Sequence, residues 1–256
     1  MARYQDTPTW LDGLAPDALG PLSADLTLGR RPLDPAVLEA ALADHLTDER
    51  RARIEAVLER RTYGLVPVVE GLVNGGNVRA VMRTAEGLGC QAFHVIGGAD
   101  KFKDSARTSQ GAEKWIDVYR WSTPNACTDY LHARGYQIVV THLDATAVPI
   151  AEVDFTRPTA LVFGNEQEGV SEAMLRTADV RCLLPLDGFV QSYNISVAAA
   201  LALYHGRTHR LAHLGHHGDL TKAERARLRA AFYRRSVRAA EAILERKLGQ
   251  GYPGAT

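Results

Sequence analysis

From residue 65 onward the chain alternates short apolar runs with segments whose apolar residues recur at helical spacing. The runs "LVPVVEGL" (65–72), "AFHVIGG" (92–98), "YQIVVTHL" (136–143), "TALVFG" (159–164) and "RCLLPL" (181–186) are β-rich and give way to turns, so they predict strands. Between the first two, Val78, Val81, Met82 and Ala85 fall at i, i+3, i+4 and i+7. That spacing is the buried stripe of a helix over 78–88 that opens at Asn77. Further helices are predicted over 125–134, 171–177 and 196–209. The alternation predicts an α/β fold with a mostly parallel sheet.

The ends of the chain follow a different pattern. Residues 1–45 carry Pro8, Pro16, Pro21, Pro32 and Pro35 among scattered leucines, which predicts a largely irregular arm with one short helix over 35–45. Thr47 then fits an N-cap, with Asp48 and Glu49 at the positive end of the helix "DERRARIEAVLERR". Ile54, Val57 and Leu58 share one face of it, and Arg50, Arg53, Arg60 and Arg61 lie mostly elsewhere. Thr221 and Glu224 form a capping-box pair that opens a helix over 221–247, after which "GQGYPGAT" is predicted to fray. The domain reading is an arm over 1–45, a main domain with a leading basic helix over 46–218, and a basic C-terminal helix and tail over 219–256.

Composition narrows the class. With 256 residues and 46% hydrophobic content, the chain can bury a substantial core in one large domain or two small ones. The longest apolar run, residues 195–204, is about half a membrane span. The opening "MARYQDTPTW" has no signal-peptide apolar region. Cys90, Cys127 and Cys182 stand far apart in no metal-ligand spacing and read as reduced, buried thiols. Together these features predict a soluble cytoplasmic protein. The net charge of zero hides an asymmetry: residues 1–45 hold three basic and seven acidic side chains, and residues 219–247 hold nine basic and four acidic. A basic helix is a surface that nucleic acid neutralises, although a solvated helix face carries the same residues for solubility.

Three constellations carry candidate chemistry. In "NGGNVRAVMRTAEGLG" (74–89), Arg79, Arg83 and Glu86 share the face away from the apolar stripe. Two arginines one turn apart oppose helix formation unless an anion lies over them, or unless Arg83 simply pairs with Glu86. In "LVFGNEQEGVSEAML" (161–175), a strand runs into a glycine-flanked loop, and Ser171 caps the next helix. Loops at the carboxyl ends of parallel strands are where α/β proteins bind ligands. The loop lacks the G-x-G-x-x-G spacing, and Glu166 and Glu168 would repel a pyrophosphate, which argues against a nicotinamide-dependent oxidoreductase. In "LPLDGFVQSYNISVAAALALY" (184–204), Gln191, Ser192, Tyr193 and Asn194 separate two apolar blocks. One of them can cap the following helix, but four polar side chains in succession exceed what a cap needs. His205, His209 and His213 form a row at i, i+4 and i+8; no third ligand of another type stands correctly placed, so a solvated His-rich helix end is the commoner reading and no metal is expected.

The three constellations in this order resemble the SPOUT superfamily of RNA methyltransferases, and most closely its TrmH family of tRNA guanosine-2′-O-methyltransferases. The resemblance covers roughly 47–247. It is densest in G-N-E-x-x-G-V-S followed by L-P-x-x-G-x-V-Q-S-x-N-x-S-V-A-A-A. It implies a SPOUT-type parallel sheet with helices on both faces, a deep trefoil knot toward its C-terminal end, and flanking N- and C-terminal helices. It further implies S-adenosyl-L-methionine as methyl donor, a homodimer, and tRNA as substrate, with the D-loop guanosine at position 18 as target. By position, Thr141, Gly164, Leu184 and Tyr193 match cofactor-contacting residues, and leucine is usual where Tyr193 stands. Asn77, Arg83, Glu166, Ser192 and Asn194 match the catalytic set. Arg79, with Arg53 and Arg60 on the leading helix and Arg234 and Arg235 on the last, is expected to grip the RNA backbone. Two alternatives within the superfamily are a ribosomal RNA ribose 2′-O-methyltransferase and an RNA-binding relative without catalysis. Residues 1–45 are too short for the separate RNA-binding domain of the former, and retention of Asn77, Arg83, Ser192 and Asn194 disfavours the latter.

Overall fold

A computed structural model describes residues 26–29, 31–72, 74–97, 111–165 and 168–248. Of these, 62–217 make up one unit, and 26–61 with 218–248 make up the other. Most of the predicted arm, the tail and Glu166 lie outside the described residues.

The second unit begins with a short antiparallel pair, β1 (Thr27–Leu28) and β2 (Arg31–Pro32), within the stretch read as irregular. Helix α1 (Pro35–Leu42) follows because Asp34 accepts from the Ala36 N–H at 2.7 Å and Pro35 supplies a preset first turn. Helix α2 (Asp48–Leu58) opens on the expected Thr47 cap, whose hydroxyl accepts from Arg50 N at 3.1 Å.

The first unit is built on a seven-stranded, wholly parallel sheet. In chain order its elements are β3 (Leu65–Glu70), α3 (Gly75–Gly87), β4 (Ala92–Ile96), β5 (Asp117–Trp121), α4 (Pro124–His132), β6 (Gln137–Thr141), β7 (Val148–Pro149), β8 (Thr159–Phe163), α5 (Glu172–Thr177), β9 (Val180–Leu183) and α6 (Ile195–Leu214). The strands stand in the order β5-β4-β3-β8-β6-β9-β7. Strands buried on both sides need apolar residues at successive positions, which is why β3 and β8 read as continuous runs. On β8, Leu161 and Phe163 face a core shared with α3 and α6, and Ala160 and Val162 face a core shared with α4 and α5. Helices therefore cover both faces of the sheet. Cys90, Cys127 and Cys182 are free and buried within it.

Two strands of this sheet escaped the sequence reading. The edge strand β5, "DVYRW", is short and interrupted by the charged Asp117 and Arg120, and β7 is two residues long. Helix α3 opens at Gly75 rather than Asn77, because Asn74 accepts from the Gly76 N–H at 2.8 Å. Helix α6 continues past residue 209 to Leu214 and ends where Gly215 takes a positive φ of 75°.

The chain then returns to the second unit with α7 (Lys222–Ser236) and α8 (Ala240–Leu248). The predicted capping box is present: Thr221 Oγ1 accepts from Glu224 N, and the Glu224 carboxylate accepts from Thr221 N at 2.7 Å. One helix over 221–247 was expected, but it breaks at Val237, a β-branched residue in extended geometry (φ −88°, ψ 120°). Ion pairs hold this unit's helices together, with Arg229 bridging Glu55 and Glu39. Among the described residues no helix is long and apolar enough to cross a membrane.

Candidate active site

Parallel strands bring their carboxyl ends to one edge of the sheet, and all three constellations follow such ends. Thr141 is the last residue of β6, Gly164 follows β8, and Leu184 follows β9. These strands are neighbours in the order β8-β6-β9, at a spacing of about 4.8 Å between adjacent strands. The three predicted cofactor positions therefore sit side by side. The Thr141 hydroxyl donates to Val162 O at 2.9 Å, which ties the end of β6 to β8.

The loop after β8 turns back on itself. Asn165 N donates to Gly169 O at 2.9 Å, and Gly169 N donates to Asn165 O at 2.8 Å. A Cβ at Gly164 would overlap the Gly169 carbonyl group and the Val170 nitrogen, so only glycine fits there. Gly169 adopts φ +70°, which glycine alone takes without strain. The loop is anchored from the neighbouring strand as well. Glu70, at the end of β3, accepts from Ser171 N at 3.0 Å and from Ser171 Oγ at 2.6 Å. The Asn165 side-chain amide donates to Gly71 O at 3.2 Å. Neither anchor was foreseen. The signal for the first was a lone acidic residue closing an otherwise apolar strand.

The loop after β9 carries the polar cluster. The Tyr193 hydroxyl donates to Pro185 O at 3.1 Å and so closes the loop across its base. Gln191 and Ser192 are exposed, and so are Phe189 and Val190 at the tip. Asn194 caps α6: its side-chain oxygen accepts from Ser196 N at 2.9 Å and Ser196 Oγ at 2.6 Å. The capping reading of Asn194 thus holds, and its amide nitrogen is the group left to offer a substrate.

Helix α3 carries Asn77 in its first turn and Arg83 exposed two turns on. Arg79 does not share that exposure. It is buried with Val78, Val81, Met82 and Ala85, because it borders the apolar stripe rather than opposing it. On the second unit, Arg53 and Arg60 are exposed. Arg234 is engaged within its own unit, with Thr27 O and the Glu241 carboxylate, and Arg235 is half-buried.

The histidine row runs along the C-terminal half of α6, with His213 in its last turn. The His205 and His209 rings meet Phe155 edge-on, and His209 stacks on His213 with centroids 4.0 Å apart. Burial, with the neighbouring His213, lowers the pKa of His209. Among the described residues no group of three His, Cys, Asp or Glu side chains could hold a metal ion. Beside Thr141, the carboxyl of Asp144 is held down at about 2 by the Thr146 hydroxyl and backbone N–H and by Arg181.

Known proteins with this arrangement are RNA-modifying enzymes. Residues 64–204 match the SpoU rRNA Methylase family. A tRNA (guanosine(18)-2′-O)-methyltransferase of Borreliella burgdorferi is 35% identical over 197 residues, which cover 77% of this chain and 90% of that protein. The crystal structure of the Aquifex aeolicus TrmH/SpoU tRNA modifying enzyme superposes with a TM-score of 0.67 at 31% identity, over 73% of this chain and 95% of that one. The SpoU methyltransferase AviRb of Streptomyces viridochromogenes, solved with AdoMet, gives a TM-score of 0.55 at 28% identity, over 59% of this chain and 62% of that one.

Proposed function

The chain belongs to the SpoU methylase family, and from that premise we infer that it transfers a methyl group from S-adenosylmethionine to a ribose 2′-hydroxyl of tRNA, the guanosine at position 18 being the target. The observation that carries this reading is the convergence of the three motif-bearing segments on one edge of the sheet, in a chain 35% identical to a named guanosine-18 enzyme across most of both lengths.

The donor fits the loops present. An adenosyl group of this size needs a surface that backbone groups can line, and the hairpin at Gly164 and the tyrosine-closed loop at 184–193 lie at the ends of β8 and β9, on either side of β6. Thr141, Gly164, Leu184 and Tyr193 would hold it. When bound, it supplies an electrophilic methyl carbon on a sulfonium. The residues here would present the ribose oxygen to that carbon, so that a C–O bond would replace the C–S bond, the thioether would leave, and the hydroxyl proton would pass to an acceptor.

Positioning the hydroxyl in line supplies much of the rate. Asn77, Glu166, Ser192 and Asn194 are assigned to that task, and Arg83 to activation of the hydroxyl. An arginine side chain stays protonated, so it is no general base. Arg83 instead binds an RNA phosphate and the hydroxyl together, and the phosphate takes up the proton. Its exposure on α3 leaves the guanidinium accessible for both. Arg53 and Arg60 supply contacts to the RNA backbone, a role that Arg79 and Arg234 serve less directly from their buried or engaged positions.

The strand order bears on the finer architecture. β9 lies between β6 and β7, and the connection 142–147 joins those two strands across the carboxyl end of β9. A chain that left β9 beneath this connection on its way to α6 would form a trefoil knot, an otherwise nearly absent topology, and the strand order is compatible with it. Helix α6 leaves Val197, Leu201, Tyr204 and Leu211 exposed along one face. That stripe supports a homodimer seated on α6, and the composition supports a cytoplasmic enzyme without a metal.

The test is methyl transfer from labelled S-adenosylmethionine to a tRNA transcript with its D-loop guanosine intact or replaced, read as nuclease-resistant 2′-O-methyl dinucleotides. Label in the intact transcript alone is expected. Label in ribosomal RNA instead would move the chain to the other branch of its family. An Arg83→Lys enzyme of near-normal activity would overturn the assignment of Arg83, since lysine lacks the planar fork.

A further inference from the structure

One buried ionisable group has no part in the chemistry above. Glu70 closes β3, is 7% exposed, and its two carboxylate oxygens take the backbone N–H and the hydroxyl of the same residue, Ser171. Ser171 is itself the cap of α5, accepting from Met174 N at 3.2 Å. A carboxylate gripping two donors of one residue fixes both its distance and its rotation. The neighbouring Gly71 adds a second tie, accepting from the Asn165 side chain and donating to Ile96 O at 3.0 Å. The segment 165–171 is therefore pinned to the end of β3 at both of its ends. From Gly71 the same chain reaches the Asn74 cap within three residues and enters α3, which carries Asn77 and Arg83. The end of β3 is thus the shared anchor of the donor loop and the arginine helix.

We propose that Glu70 is a positioning residue: through Ser171 it sets the loop 164–171 against the opening of α3, and so the spacing between the donor-binding loop and Arg83. The proposal rests on the methyl-transfer reading for its kinetic consequence, but the mechanical coupling stands on the contacts alone. A simple stabilising cap for α5 would not need a buried carboxylate, because Ser171 already provides the cap. Burial of the charge is costly unless its partners are in place, so the site rewards one geometry strongly.

The experiment compares Glu70→Ala, Glu70→Gln, Ser171→Ala and the double alanine variant in the full-length protein. It reads S-adenosylmethionine affinity by calorimetry, kcat and KM for tRNA, melting temperature, and amide hydrogen exchange. For Glu70→Ala we expect kcat to fall about ten- to a hundredfold, with KM for tRNA within about twofold of wild type. Donor affinity should weaken about tenfold, and exchange should quicken in both 164–171 and 74–83. Glu70→Gln, which still offers an acceptor to the Ser171 N–H, should recover most of the activity. Ser171→Ala should cost less than Glu70→Ala, and the double variant no more than it, since the two act as one unit. The proposal is overturned if Glu70→Ala lowers only the melting temperature, if exchange changes are confined to α5, or if the two alanine effects add. A wild-type protein that neither binds the donor nor methylates RNA would refute the functional reading, and the exchange pattern would still decide the coupling.

Discussion

Replacing Gly164 by alanine tests whether the loop after β8 is the donor-binding element. The added methyl group would be driven into the backbone of Gly169 and Val170, not into a flexible side chain that could swing away. Carbon atoms settle at about 3.5–4.0 Å, so the two arms of the hairpin must part by more than an ångström. That movement breaks the reciprocal pair between Asn165 and Gly169, at 2.9 and 2.8 Å. Two hydrogen bonds at about 0.5–1.5 kcal/mol each amount to roughly 1–3 kcal/mol. The loop cannot relieve the strain by sliding, because β8 is buried on one side and Ser171 is held by Glu70 on the other. If the donor binds this loop in its native shape, most of that energy appears as lost affinity, about ten- to a hundredfold in Kd. Gly169→Ala is the control. Its Cβ would meet open space, so it bears only the penalty of a left-handed residue, about 1–2 kcal/mol. Calorimetric titration of both variants with S-adenosylmethionine checks the reasoning. Wild-type affinity in Gly164→Ala, in a protein shown to be folded, would refute it.

Three further predictions concern other parts of the molecule. Arg53→Ala and Arg60→Ala should each weaken tRNA binding and reduce the salt dependence of its association constant by about one phosphate contact, whereas Arg234→Ala should lower the melting temperature more than the affinity; filter binding across a salt series with parallel thermal melts separates the two. Leu201→Lys should abolish self-association without unfolding the chain, because it places a charge on the exposed face of α6; an unchanged sedimentation coefficient would count against a dimer on that face. Burial, aided by Arg134, pushes the pKa of His94 down to about 3, and its Nδ1 accepts from the Trp121 indole at 3.0 Å. The folded state thus refuses a proton that the unfolded chain takes near pH 6.5, so stability is full above that pH and falls toward pH 3, by up to about 1.4 kcal/mol per unit. Urea melts of wild type and His94→Phe at pH 7 and pH 5 should show a smaller acid loss in the variant, and equal losses would remove His94 as the cause.

The sequence displayed the parallel sheet readily, because strands buried on both faces need apolar residues at successive positions, and the middles of β3, β6 and β8 supply them while their polar residues stand at the strand ends. It concealed β5 because "DVYRW" sets the charged Asp117 and Arg120 among only three apolar residues, too few to read as a run. The caps at Thr47, Ser171 and Thr221 were legible in the sequence, and those at Asp34 and Thr123 were not. The start of α3 was placed late because Asn74 and Asn77 both have cap chemistry, and only the fold shows that Asn74 takes the role. Charge misled the reading of α3. Arginine has a long apolar stem, so a position beside the core stripe can bury it, and Arg79 does so while Arg83 does not.

The site itself was legible as a set of segments and not as a set of contacts. Gly164, Ser192 and Asn194 stand where a glycine or a polar cluster interrupts an apolar run, whereas Arg83 was singled out by the family resemblance and not by its spacing. What no interruption announces is the tie between segments a hundred residues apart. Glu70 and Ser171 each look ordinary alone, an acid at the end of a strand and a serine at the start of a helix. Their pairing exists only because β3 and β8 are neighbours in the sheet, which the order of strands along the chain does not reveal. The catalytic geometry of such a fold is therefore set by residues of two kinds. One kind, on the methyl-transfer reading, is expected to touch the reacting groups and lies in the motif-bearing segments. The other holds the loops in register and becomes visible once the strand order is known.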